Sequence, residues 1–96
     1  MHHDINSTVK HFQPIVDGKK RAENRYNDRN YQLNDTITLH EGVLDGNTPG
    51  GFSYTGRTVS CRISWIADFG CEPGFVTLSY ANVGLLIVRD KNDYEL

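Results

Sequence analysis

Nowhere does this chain of 96 residues carry an apolar run near the roughly 20 residues that a membrane-spanning helix needs. Met1-His2-His3-Asp4 also lacks the apolar segment of a signal peptide, so the expectation is a cytoplasmic protein with no membrane partner. Cysteine is scarce. Cys61 and Cys71 are too few for a disulfide framework and lack a C-x-x-C spacing, and both are read as reduced packing residues. Asn6-Ser7-Thr8 and Asn34-Asp35-Thr36 match the glycosylation acceptor pattern, but without a secretory signal they are chance matches. The glycine-rich stretch from Gly42 to Gly56 lacks the G-K-[ST] ending of a phosphate-binding loop and reads as a long flexible connection. A basic excess is missing as well: the net charge is -2, whereas modules that grip nucleic acid chiefly through its phosphates are distinctly basic. No internal repeat or low-complexity segment is present.

What is there fits a compact module. Hydrophobic content of 38% and charged content of 23% suit a globular chain, read as a single domain over 1–96 with 82–96 as a C-terminal extension or tail. A monomer without cofactor is expected. Asp4-Ile5-Asn6 reads as a short first strand, and Ser7 or Thr8 as the N-cap of a helix running towards Asp17 and stopped by Gly18. Val9, Phe12, Ile15 and Val16 give that helix an apolar stripe. Pro14 implies either a kink or a restart with the proline in a first turn.

From Arg21 onward the pattern is that of strands. Arg21 to Tyr26 is followed by the turn-like Asn27-Asp28-Arg29-Asn30. Asp35 to Glu41 alternates, with Ile37 and Leu39 inward. Arg57 to Ala67 places Val59, Cys61, Ile63 and Trp65 on one side, and Phe75 to Tyr80 does the same with Val76, Leu78 and Tyr80. Gly84 to Val88 reads as a last strand before an acidic tail. One helix and five to six short strands predict a mainly β (α+β) fold, an open β-barrel with the N-terminal helix packed on it.

Chemistry concentrates at Gly18, Lys20, Glu23 and Arg25, a G-x-K-x-x-E-x-R string at the end of the helix and the start of a strand. Strand periodicity points Glu23 and Arg25 to one face, and the turn at Gly18 brings Lys20 beside them. The plain alternative is a solvated charged strand held by weak surface ion pairs. Between Gly18 and Tyr31 stand five cations (Lys19, Lys20, Arg21, Arg25, Arg29) against two acids (Glu23, Asp28), leaving five cations and ten acids elsewhere. A small cationic patch on an acidic body suits a nucleotide, a phosphate group or a short single strand better than a long duplex.

These residues carry a resemblance. The string, Asn27-Asp28-Arg29, Leu33 to Ile37, Tyr54-Thr55-Gly56-Arg57 and Gly74 to Leu78 occur in an order that resembles a small uncharacterised family of the ASCH superfamily, with PUA-like barrels frequent in phages and prophages. The resemblance covers about His3 to Tyr80. It implies a PUA-like open barrel and a module that binds RNA or a nucleotide in a cleft beside the string. Lys20 and Arg25 would then contact phosphate or base, with Arg29 completing the patch and Glu23 accepting from a base edge or orienting Arg25. Tyr26, Tyr31 and Tyr54 are candidate stacking surfaces.

Some relatives in the superfamily are amidohydrolases acting on an acylated cytidine, with a lysine at the position of Lys20, a threonine at that of Glu23 and a later glutamate. On that reading Lys20 and Glu23 are the catalytic candidates and Glu72 or Glu41 the later acid. The carboxylate at Glu23 departs from the pattern, because a lysine beside it tends to stay protonated. Ala22 and Asn24 also depart, standing at positions read as inward where relatives carry larger apolar residues. Asn24 would then read a base edge or sit at an exposed strand end. A third reading is an accessory protein that binds a host protein, through Leu85, Leu86 and Ile87 or the Asp90 to Leu96 tail. His2, His3 and Asp4 alternate in direction and predict no metal. His40, Glu41 and His11 would make an acid-base group only if the fold brought them together. Cys61, on an apolar face, packs as a small hydrophobe.

Overall fold

In a computed structural model describing residues 1–87, the chain folds as β1 (His2–Thr8), α1 (Val9–Val16), β2 (Ala22–Tyr26), β3 (Thr36–Leu44), β4 (Phe52–Ala67) and β5 (Phe75–Ile87). The five strands form one mixed sheet in the order β1-β3-β4-β5-β2, curled into a half-barrel. β1 lies parallel to β3, His2 opposite Thr36 and Thr8 opposite Gly42, whereas the other neighbours are antiparallel. The two edge strands are therefore β1 and β2. Both line one cleft, through Asn6, Ser7 and Thr8 on one side and Glu23, Asn24 and Arg25 on the other. That seam between unpaired edges is where polar side chains reach the interior.

The helix begins directly after β1 and ends in a Schellman motif. Gly18 adopts φ +73°, its N–H bonds to the Ile15 carbonyl at 3.1 Å, and the Lys19 N–H bonds to the Pro14 carbonyl at 2.9 Å. Pro14 sits inside the helix without interrupting it. In this eight-residue helix its missing N–H leaves one carbonyl of the first turn without its helical partner. Phe12 and Ile15 are buried and Val16 packs against the core, but Val9, the first helical residue, is exposed. The motif turns the chain back so that Lys20 reaches β2.

The core joins Phe12 and Ile15 to Ile5, Ile37, Leu39, Val59, Cys61, Ile63, Val76, Leu78 and Tyr80. Alternation in β3 and β5 is as expected from the sequence. In β4 it holds through Ile63 and then fails: Trp65 is 61% exposed, because a register shift between Ile63 and Trp65 reverses the phase, and Ile66 turns inward. The stretch from Gly42 to Gly56 is not a long loop. β3 runs to Leu44 and β4 starts at Phe52, leaving a short connection closed by the Asp45 N–H on the Gly51 carbonyl at 2.9 Å. Nor do Gly84 to Ile87 form a separate strand, and Val88 lies outside the described residues. β5 is continuous to Ile87, with the break absorbed by a bulge around Asn82, at φ +55°. The side chains of Leu85, Leu86 and Ile87, and the Asp90 to Leu96 tail, lie outside the described residues. Among the described residues no helix is long and apolar enough to cross a membrane.

Candidate functional site

β2 pairs with β5 so that Glu23 stands opposite Leu78, facing inward, while Asn24 faces solvent. Asn24 is thus an exposed strand residue, and its amide donates to Cys71 Sγ at 3.3 Å. Glu23 is only 6% exposed. Arg25, two residues on, donates from Nε to Glu23 Oε2 at 2.9 Å, and Tyr80 donates its hydroxyl to the same oxygen at 3.1 Å. Lys20 Nζ lies 3.2 Å from the other oxygen, Oε1, as an ion pair whose geometry is not that of a hydrogen bond. Lys20 also reaches His11 Nδ1 at 3.4 Å.

The electrostatics follow from this burial. Burial is the largest single influence on Arg25 and opposes its charge, yet Glu23 and Tyr80 together outweigh it and hold the guanidinium pKa above its ordinary value. Burial, then the carboxylate, pushes the Tyr80 phenol well up, so it remains a hydrogen-bond donor. Beside this cluster opens a cleft of about 280 Å³ between β1, α1 and β2. Two buried polar atoms lining it have no hydrogen-bond partner, Glu23 Oε1 and Ser7 Oγ. Buried polar atoms are nearly always paired, so both mark the cleft wall as a place where a polar partner, a water or a bound molecule, belongs, with Lys20 already balancing the charge at Oε1.

The structure brings Lys20, Glu23 and Arg25 together but leaves the other expected residues elsewhere. Tyr26 faces out, 58% exposed, with its ring edge-on to Phe75 at 5.4 Å. Arg29 lines a neighbouring groove and not the cleft. Tyr31 is excluded as a stacking surface because it is buried against His3, ring centroids 4.9 Å apart. His40, Glu41 and His11 form no hydrogen-bonded group: His40 bonds Asp4 Oδ1 at 3.0 Å and His11 faces Lys20, and although His40 and Glu41 both line the neighbouring groove no hydrogen bond joins them. His2 is exposed and His3 buried, the opposite directions expected of adjacent strand residues. Glu72 is exposed beside Cys71, away from Lys20.

That neighbouring groove, about 870 Å³, was not anticipated from the sequence. Its floor holds Glu41, 3% exposed, which accepts from Thr55 Oγ1 at 2.7 Å and lies 3.6 Å from Arg57 Nε. Arg57 is anchored through Nη2 to Gln13 Oε1 at 3.0 Å and lies over the Phe12 ring at 5.1 Å. A register shift between His40 and Gly42, opposite Gly56 at φ +94°, makes room for Thr55 and Arg57 around one glutamate. The signal was in the alternation: Glu41 continues the inward phase of Ile37 and Leu39, and Arg57 that of Val59 and Cys61.

Comparison with known proteins adds two findings. The chain is 41% identical over 66 residues, 69% of its length, to a protein of Escherichia phage P2 described as an uncharacterized 12.9 kDa protein in the GpA 3' region. The match spans 54% of that relative, so the chain covers about half the length of the curated protein it resembles. A family model described as Domain of unknown function (DUF3850) matches residues 2–80, which run from β1 to Tyr80 in β5 and take in every residue of the Lys20–Glu23–Arg25 cluster, and the chain belongs to that family.

Proposed function

We propose that this protein is a recognition module for a nucleotide or an unpaired nucleotide of single-stranded RNA, bound in the seam between β1 and β2. The observation that carries this reading is the buried Glu23 carboxylate, fixed by Arg25 and Tyr80, whose Oε1 is ion-paired with Lys20 but holds no hydrogen bond at the cleft wall. A nucleobase edge supplies the N–H donor that this oxygen lacks, and Ser7 Oγ offers a second partner beside it. Lys20 and Arg25 add local positive charge for the attached phosphate. The volume, about 280 Å³, lies near the lower end of ligand pockets and admits one base rather than a duplex. The curled sheet with its N-terminal helix, together with the G-x-K-x-x-E-x-R string, supports placing the chain among the PUA-like barrels of the ASCH superfamily.

The amidohydrolase reading draws no such support. Lys20 is ion-paired to Glu23, an arrangement that favours the charged amine over the free nucleophile. The test is a backbone NMR titration at fixed ionic strength with mononucleotides, short RNA oligomers and acylated cytidine. Shifts centred on Lys20 to Arg25 that shrink in Lys20→Ala and Glu23→Gln are expected. Release of a carboxylic acid from acylated cytidine would favour the hydrolase, and unchanged spectra across the panel would refute nucleotide recognition and direct the search to a host protein.

A further inference from the structure

We infer that the larger groove is a second nucleotide subsite, in which a base stacks on Tyr54 and presents its donor edge to Glu41. The inference rests on the reading that the first cleft takes a nucleotide, and it extends the ligand to two neighbouring nucleotides of one strand.

The groove repeats the chemistry of the cleft. In each, a buried glutamate accepts from one hydroxyl, Tyr80 for Glu23 and Thr55 for Glu41, and stands beside an arginine Nε. In each, the glutamate's other oxygen has no hydrogen bond. The second pair is more open still. Arg57 Nε is buried without a partner, held 3.6 Å from Glu41 Oε1 although its guanidinium is already fixed by Gln13 and Phe12. Glu41 Oε2 and Arg57 Nε, both buried, are left without a partner in the wall of the groove, an acceptor and a donor that a base edge with adjacent N–H and carbonyl groups would satisfy.

Tyr54 supplies the stacking face. Its ring is 59% exposed yet held in place: its hydroxyl donates to Asn6 Oδ1 at 2.9 Å, and His40 and Phe52 pack edge-on at 6.0 and 5.2 Å. An exposed aromatic fixed before binding loses little freedom when a base stacks on it. Asn6 also links the two sites, since it lines both the groove and the cleft. Guanine fits best, because it alone places a carbonyl oxygen, for Arg57, next to two N–H donor groups, for a carboxylate.

The experiment uses uridine tetranucleotides carrying a single guanine, inosine, adenine or cytosine, with affinities and amide shifts measured on the full chain, Glu41→Gln and Tyr54→Ala. Expected are about tenfold tighter binding of the guanine oligomer than of the adenine one, an intermediate value for inosine, loss of that preference in Glu41→Gln, and about tenfold weaker binding of every oligomer in Tyr54→Ala. Tyr54 is largely exposed, so that variant keeps the test open if Glu41→Gln fails to fold. Shifts confined to Lys20–Arg25, with both variants binding as the parent does, would overturn the second subsite and leave the first reading standing. Shifts at neither place would overturn both.

Discussion

Removing the guanidinium of Arg25 distinguishes a buried charge cluster from a solvated surface strand. Arg25 donates to Glu23 Oε2 at 2.9 Å with its own side chain 21% exposed, and the carboxylate it serves is 6% exposed. A hydrogen bond to a charged group contributes about 1.5–3 kcal/mol. Stripping one partner from a fully buried pair costs about 3–5 kcal/mol. Here Lys20 still stands 3.2 Å from Oε1 and Tyr80 still donates to Oε2, so the loss falls below that range. We expect Arg25→Ala to lower stability by about 2–3 kcal/mol, a fall in Tm of roughly 10–20 °C for a domain of this size. Urea titration at pH 7 should show a lower midpoint with an unchanged m value. Adding Glu23→Gln to Arg25→Ala should recover part of the loss, because a neutral amide needs no counter-charge. A change below about 0.5 kcal/mol would refute the reasoning, since exposed ion pairs contribute only that much.

Three further predictions follow from the same coordinates. Asp35 is held down to about 2, first by its hydrogen bond with buried His3 at 2.8 Å, so its stabilising contribution is complete above the ordinary value near 3.8 and fades as pH falls towards 2. The urea midpoint of the parent should therefore drop between about pH 5 and 2 more steeply than that of Asp35→Asn, and parallel curves would contradict it. Ile63→Ala, at a fully buried position, should cost about 2–5 kcal/mol, whereas Trp65→Ala, two residues along but past the bulge, should cost under about 1 kcal/mol; similar losses would mean that β4 keeps its phase. Burial pushes the Cys61 thiol up to about 12, so a thiol reagent near pH 8 should modify the partly exposed Cys71 and spare Cys61 until the chain unfolds. Rapid reaction of both thiols in the native protein would contradict the packing described.

The elements that sequence displayed well were those governed by local periodicity. Ile37 and Leu39, Val76 and Leu78, and the shared direction of Glu23 and Arg25 all follow from a period of two, and Gly18 ends its helix through a positive φ. Long-range pairing was hidden, because nothing local tells β1 to run parallel to β3. Bulges were hidden as well. One inverted the phase at Trp65, and another, at Gly56, let Thr55 and Arg57 gather around Glu41. Glycine misled for a physical reason: Gly42 is a strand residue where a Cβ would run into the Phe52 ring and lie only 2.5 Å from the Ser53 carbonyl oxygen. In a count of turn formers it looked like a loop. The cluster at Lys20, Glu23 and Arg25 was readable because its members lie within six residues; the Glu41 groove draws on β1, β3 and β4 and required the fold.

The central claim, recognition of an unpaired nucleotide beside Glu23, is met most directly by fluorescence anisotropy of a labelled single-stranded RNA hexamer at two salt concentrations, with the parent chain, Lys20→Ala and Glu23→Gln. Saturable binding is expected, with a shallow salt dependence equivalent to about two neutralised phosphates and weakening of about tenfold or more in both variants. Binding that is absent, or that is equally strong in both variants, would contradict it.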